Sequence, residues 1–262
     1  MITNFIYMAI ILLGSVLAYK WEALDKSGSL AAFLLGSVII LSLGIKGIFL
    51  LGLFFATSSI FSFYKHTLKE KVNEKLANGS RRNWKQVAAN GAVAGIFSLL
   101  FAFNPNELWL YGFIAAIAAA TADTWASEIG VLSKSKPIKI STLRRCEPGT
   151  SGAVSILGTV ASILGSAMIV AFSVTFYKIN LKIAVVLFLS GVLGSVIDTF
   201  IGAFLQVNYR CSVCSVITER KSHCGKPTEN ESGIKFIDNE IVNFGCIIFT
   251  SILCIMICAF ST

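Results

Sequence analysis

Residues 109–130 read Trp109-Leu-Tyr-Gly-Phe-Ile-Ala-Ala-Ile-Ala-Ala-Ala-Thr121-Ala-Asp123-Thr124-Trp125-Ala-Ser127-Glu128-Ile-Gly130. No charge interrupts the run before Asp123. A bilayer core needs about 20 predominantly apolar residues, so the run is long enough to cross. Both its carboxylates sit at one end. Similar apolar runs recur near 3–19, 29–45, 47–64, 86–103, 152–177, 183–207 and 241–260. The whole chain agrees: 262 residues, 55% hydrophobic and only 14% charged, with mean hydropathy +0.76. A soluble domain carries about 25% charged residues. Disorder needs low hydrophobicity and high charge, so it is excluded. The expectation is an all-α, polytopic transmembrane helical bundle of about eight spans, forming one integral membrane domain over 1–262. The first run lacks a basic flank before it and reads as a retained helix, not a leader. Gly44-Ile-Lys-Gly47 between the second and third runs predicts a tight reversal, with antiparallel neighbours on either side.

Basic residues set the orientation. Loops and flanks after the first, third, fifth and seventh runs hold 19 of the 22 Lys and Arg. Only Lys46, Lys178 and Lys182 lie on the other side. This predicts cytoplasmic loops near 65–85, 131–151 and 208–240, with both termini outside. The net charge of +8 then reflects topology and contact with anionic headgroups. Basic patches interleaved with base-stacking aromatics are absent, so nucleic acid is not an expected partner.

Carboxylates inside spans are costly and point to function. On a helix, Thr124, Ser127 and Glu128 fall about 100°, 40° and 140° from Asp123, which places all four on one polar arc. The seventh run repeats the pattern with Gly191, Gly194, Ser195, Asp198, Thr199, Gly202 and Gln206. Small residues on the Asp198 side admit a neighbouring backbone. The sixth run opens on Gly149-Thr150-Ser151-Gly152-Ala-Val-Ser155, behind Arg144 and Arg145. A Gly-rich turn feeding a helix N-terminus offers N–H groups and a positive dipole end to an anion such as phosphate.

The last cytoplasmic loop carries Cys211-x2-Cys214 and then His223-Cys224. Thiolates and imidazole at such spacing suit a tetrahedral structural zinc; the plain alternative is free thiols. Downstream, Asp238-Asn239-Glu240-Ile-Val-Asn243 offers oxygen ligands for a hard cation, and reads equally well as a helix cap. Arg82, Lys85 and Asn90 are placed to reach the same cytoplasmic cavity as the carboxylates. His66 stands alone without a role.

Four stretches together resemble the integral-membrane family that includes plant phytyl-phosphate kinase and many uncharacterised bacterial and archaeal members. They are Arg82-Asn-Trp-Lys-Gln86-Val-Ala-Ala-Asn90-Gly91, Asp123-Thr-Trp-Ala-Ser-Glu128-Ile-Gly130, Gly149-Thr-Ser-Gly152-Ala-Val-Ser155 and Asp238-Asn239-Glu240-Ile-Val-Asn243. The Asp198-Thr pair and the Cys/His loop resemble it too. CTP-using polyprenol and dolichol kinases are more distantly similar. Glu240 departs from the pattern, where Asp is expected. The resemblance implies an isoprenyl (phytyl or prenyl) monophosphate kinase. A nucleoside triphosphate, CTP by resemblance, would phosphorylate a membrane lipid phosphate to its diphosphate. The catalytic set it implies is Asp123, Glu128, Asp198 and Asn239. The substrate contacts are Arg82, Lys85, Asn90, Thr124, Ser127, Arg144, Arg145, Gly149, Thr150, Ser151, Gly152, Ser155, Asp238 and Asn243. Mg²⁺ would lie on Asp123 and Asp198, and structural Zn²⁺ on Cys211, Cys214, His223 and Cys224. The partners are an isoprenyl phosphate, the nucleotide and membrane lipids. Two rivals remain open: a cytidylyltransferase acting on a lipid phosphate, and a transporter or flippase of a phosphorylated lipid or small anion.

Overall fold

The computed structural model describes residues 2–64 and 81–260. The basic loop expected at 65–85 falls mostly outside them, His66 included. Seven helices dominate: α1 (Ile2–Lys20), α2 (Lys26–Phe63), α3 (Trp84–Phe103), α4 (Glu107–Gly130), α5 (Ile156–Tyr177), α6 (Leu181–Phe204) and α7 (Asn239–Ala259). Between α4 and α5 lies a three-stranded antiparallel sheet of β1 (Ile138–Lys139), β2 (Arg144–Arg145) and β3 (Ala153–Val154), ordered β2-β1-β3. Between α6 and α7 lies a four-stranded antiparallel sheet. Its strands are β4 (Asn208–Cys211), β5 (Ile217–Thr218), β6 (Ser222–His223) and β7 (Lys226–Ser232), ordered β5-β4-β7-β6. The 208–240 loop is therefore a folded module.

Among the described residues six helices, not eight, are long and apolar enough to cross a membrane. The first expected run corresponds to α1, whose described apolar stretch is Phe5–Lys20. The second and third form one 38-residue element, α2. That element is broken at Gly44, whose φ of 67° and ψ of −158° are non-helical. The chain reverses there. Gly28 packs on the Arg82 backbone, and Ser62 accepts from the Arg82 guanidinium. In a straight helix Gly28 and Ser62 would stand about 51 Å apart. At the turn, Lys46 Nζ donates to the Phe176 carbonyl at 2.7 Å, a cation on the C-terminus of α5.

Caps explain where the helices begin. Asp25, Asn83, Asn106, Ser155, Asn180 and Asp238 each accept a first-turn N–H. Asn83 and Gln86 complete a capping box. The sixth span therefore starts at Ile156, after the Gly149–Gly152 turn and β3.

α4 is the axis of the bundle and touches α2, α3, α5, α6 and α7. Ala115, Ala116, Ala118, Ala119 and Ala120 are fully buried. Short side chains let the surrounding backbones close in. A Cβ on Gly158 of α5 would lie 2.9 Å from the Ala126 carbonyl, and one on Gly194 of α6 would lie 2.6 Å from Ala119 Cβ. These contacts seal α4 against both neighbours and leave the remaining space between α5 and α6.

Candidate active site

A cavity of about 410 Å³ lies among α4, α5 and α6, at the end that carries both sheets. Asp123, Ser127 and Glu128 enter it from α4, and Asp198 from α6. The segment Gly149–Ser155 forms a wall, and Asn239 reaches in from the start of α7. The Asp123 and Asp198 carboxyl groups are in hydrogen-bond contact. Ser195 Oγ donates to Asp123 Oδ1 at 3.5 Å, and Cys246 Sγ lies 3.7 Å from Asp198 Oδ1. Two carboxyl groups this close need a proton or a cation between them. Hard oxygen donors of this kind fit Mg²⁺, which takes one or two carboxylates plus substrate oxygens.

The cavity's charge is one-sided. Asp123, Glu128, Asp198 and Glu219 all line it, and among the described residues no Lys, Arg or His does. Glu219 and Gln206 were not expected as site residues from the sequence. Ser151 Oγ bonds Gln206 Oε1 at 2.8 Å, and Gln206 Nε2 donates to Glu219 Oε1 at 2.7 Å. This relay ties the Gly-rich turn to the four-stranded sheet. Gln206 had a legible signal, because it continues the i, i+4, i+8 row from Asp198 through Gly202. Glu219 had none. At the turn, Gly152 has φ +70°, and a Cβ there would sit 2.5 Å from the Ala203 nitrogen. Only glycine satisfies both the conformation and the approach.

Several expected contacts lie elsewhere. Arg82, Asn90 and Thr124 line a second, smaller cavity of about 80 Å³ between α2, α3 and α4. The polar arc of α4 is wide enough to serve both cavities, and Thr124 turns to the smaller one. The Arg82 guanidinium lies 5.6 Å from the Phe55 ring centroid and 3.5 Å from Ser62 Oγ, which donates to Glu128 Oε1 at 2.5 Å. Burial pulls the Arg82 pKa below its ordinary value, and Glu128 opposes that shift. Lys85 is exposed beside the Trp84 ring. Arg144 and Arg145 are exposed on β2. Asp238 is a helix cap, with Oδ1 accepting from Ile241 N–H at 3.0 Å. Asn243 lines neither cavity; its Oδ1 is buried without a partner among the described residues.

In the four-stranded sheet, the ligand atoms of Cys211, Cys214, His223 and Cys224 all lie within 4.8 Å of one another. Cys214 Sγ and Cys224 Sγ are 3.8 Å apart, and His223 Nδ1 stands 3.4 and 3.2 Å from them. Zinc–sulfur bonds of about 2.3 Å in a tetrahedron imply an edge of about 3.8 Å. The Cys211 thiol drops to about 6, chiefly through a backbone N–H from Cys214. Cys224 is pushed up to about 11, first by its hydrogen bond with Cys214. The donor set therefore fits zinc. Adjacent His223 and Cys224 reach one point because Cys224 takes a left-handed conformation, φ 52°.

A helical bundle of membrane-crossing length with a carboxylate-lined chamber at one end defines a polytopic integral membrane protein with a one-sided site. The chain belongs to the integral membrane protein family DUF92, whose model matches residues 9–251. This is the integral-membrane family that the motifs resemble. An uncharacterized membrane protein of Methanocaldococcus jannaschii is 33% identical over 79% of this chain and 84% of its own. Protein PGR of Arabidopsis thaliana is 31% identical over 90% of this chain and 89% of its own. Protein VTE6, chloroplastic, of the same plant is 25% identical over 95% of this chain and 69% of its own. No solved structure matches.

Proposed function

We propose that this protein is an isoprenyl-monophosphate kinase, transferring the γ-phosphoryl group of a nucleoside triphosphate, CTP by resemblance, to a lipid monophosphate. The observation that carries this reading is the contact between Asp123 and Asp198 in a cavity with four carboxylates and, among the described residues, no basic lining residue. A polyphosphate cannot enter such a chamber without cations, and phosphoryl transfer depends on positioning and charge neutralisation. Mg²⁺ held by Asp123 and Asp198 would supply that neutralisation when bound.

The chain's own groups do the positioning. The Gly149–Gly152 turn lines the cavity, and the positive dipole end of α5 just beyond it would favour phosphate oxygens. Ser151, Gln206 and Glu219 fix the turn's orientation through their hydrogen bonds. A phosphate monoester is already largely dianionic at neutral pH, with a second pKa of about 6, so the acceptor needs no general base. The carboxylates thus hold charge rather than take a proton. Glu128, fixed by Ser62, and Asn239 complete the wall. The basic-residue asymmetry supports a cytoplasmic opening, where nucleotide is available. Zinc on Cys211, Cys214, His223 and Cys224 would hold the sheet that delivers Glu219.

Product analysis with α- and γ-labelled CTP tests the reading. The γ label should appear in a lipid diphosphate. The α label in the lipid would mean cytidylyl transfer, and neither label would return the protein to the transporter class.

A further inference from the structure

Where does an acceptor with a long apolar tail enter? The seam between α5 and α6 is pinned at two levels. At the sheet end, Ser151 Oγ lies 3.0 Å from the Gly202 carbonyl, and Gly152 packs on the Ala203 backbone. Deeper, Ser166 Oγ donates to the Phe188 carbonyl at 2.8 Å, and a Cβ on Gly191 would lie 3.0 Å from Ser166 Cβ. Gly191 and Gly202 are separated by about 17 Å along the helix. Between the pins, α6 presents Val192, Val196 and Phe200 to the cavity, and α5 presents Thr159 and Ser162. Val196 is 44% exposed and Phe200 48% exposed, so the residues that line the chamber also lie on the bundle's outer surface. The cavity has a side window.

On a membrane-embedded bundle, that window faces lipid. Its two walls differ in character. Val192, Val196 and Phe200 follow an i, i+4, i+8 row and form an apolar ridge. Opposite them, the Ser162 hydroxyl is 96% buried (4% exposed) and has no partner among the described residues. A buried unsatisfied hydroxyl is costly unless a ligand or water meets it. Polar groups at one end of the window, an apolar ridge along it and carboxylates at its inner face suit an amphipathic phosphate ester.

We infer that the acceptor enters sideways from the bilayer between α5 and α6, its chain lying along Val192, Val196 and Phe200, so that this ridge sets which tails are accepted. The inference rests on the kinase reading for the acceptor's phosphate, though the window itself does not. Two experiments separate them. The first compares dimethylallyl monophosphate with geranylgeranyl monophosphate as acceptors for the wild type and Val196→Trp. The ratio of kcat/KM, long over short, should fall roughly tenfold or more in Val196→Trp, as a blocked apolar pocket produces. An unchanged ratio overturns the inference. The second uses a prenyl monophosphate carrying a diazirine on its tail, photolysed with the wild-type protein in lipid nanodiscs. Labels should map to 192–200 and 156–162. Labels confined to other helices overturn the window even if transfer occurs. Labels on the ridge without transfer to any acceptor support the window and defeat the kinase reading instead.

Discussion

Replacing Asp198 by Asn keeps shape and removes one negative charge. In the folded chain Asp198 contacts Asp123 and faces a cavity that also holds Glu128 and Glu219. Two unit charges about 4 Å apart interact by about 4 kcal/mol at an effective dielectric of 20. Without a cation the pair must share a proton or repel; removing one carboxylate lifts that cost and weakens the chamber's hold on a cation by a comparable amount. Stability and activity should therefore move in opposite directions. Without Mg²⁺, Asp198→Asn and Asp123→Asn should melt no lower than the wild type. Both should lose the thermal stabilisation that millimolar Mg²⁺ gives the wild type. Turnover should drop by roughly 10²–10³-fold, the loss expected from one electrostatic stabiliser. The assay is γ-label transfer from CTP to a prenyl monophosphate, paired with melting curves across a Mg²⁺ series. A different view gives Asp198 only the task of bonding Cys246 on α7. Asn serves that bond as well, so retained turnover and an unchanged Mg²⁺ response in Asp198→Asn would refute the charge argument.

Three further outcomes follow from the geometry. Gly152→Ala forces a left-handed φ on an L residue and drives a Cβ onto the Ala203 backbone; thermal unfolding in detergent should register a loss of about 2–4 kcal/mol. Elemental analysis of purified protein should find about one zinc per chain, and Cys214→Ser should abolish it while leaving the Mg²⁺ response of the Asp pair detectable. Asp25 caps α2 and its carboxyl is held below the usual range, first by the Gly28 N–H. Its contribution is therefore present above the ordinary carboxylate pKa and lost as pH falls through the lowered one. Asp25→Ala should cost about 1 kcal/mol at neutral pH in melting experiments, and that difference should vanish in acid.

Much of this was legible in the chain because membrane helices write their length and polarity locally. The buried alanines of α4, the reversal at Gly44 and the Gly149–Gly152 turn all follow from neighbours in sequence. Helix phase also brought Asp123, Ser127 and Glu128 correctly to one side. It did not show that Thr124 serves a different cavity, because that depends on where α2 and α3 stand. The two small sheets escaped notice because two-residue strands carry no periodicity. Glu219 was hidden for the same reason. Its position comes from the pairing of β4 with β5 and β7, and from Gln206 at the far end of α6. Lys85, Arg144 and Arg145 were expected near phosphate because they are basic and adjacent to motifs, yet adjacency does not fix direction.

Arginines and lysines would bind a polyphosphate in its ground state as readily as during transfer. Carboxylates cannot. On the proposed reading they would admit a nucleotide only with its cations, and so would couple binding to the charge distribution that transfer requires. Half-buried Arg82 is held outside the chamber by Phe55 and Ser62 and turned toward Glu128 from behind. Its positive charge opposes that of a wall carboxylate from outside the chamber. On this reasoning Arg82→Gln differs from Asp198→Asn in kind. It removes a positive charge beside half-buried Glu128, and taking one partner from a partly buried charge pair is destabilising. The variant should lose thermal stability, and Arg82→Lys, which restores charge but not the planar stack on Phe55, should recover part of it. A double variant Arg82→Gln/Glu128→Gln should melt higher than Arg82→Gln alone. If the double variant melts no higher, Arg82 is not acting through Glu128, and the separation of charges between the two cavities has another cause.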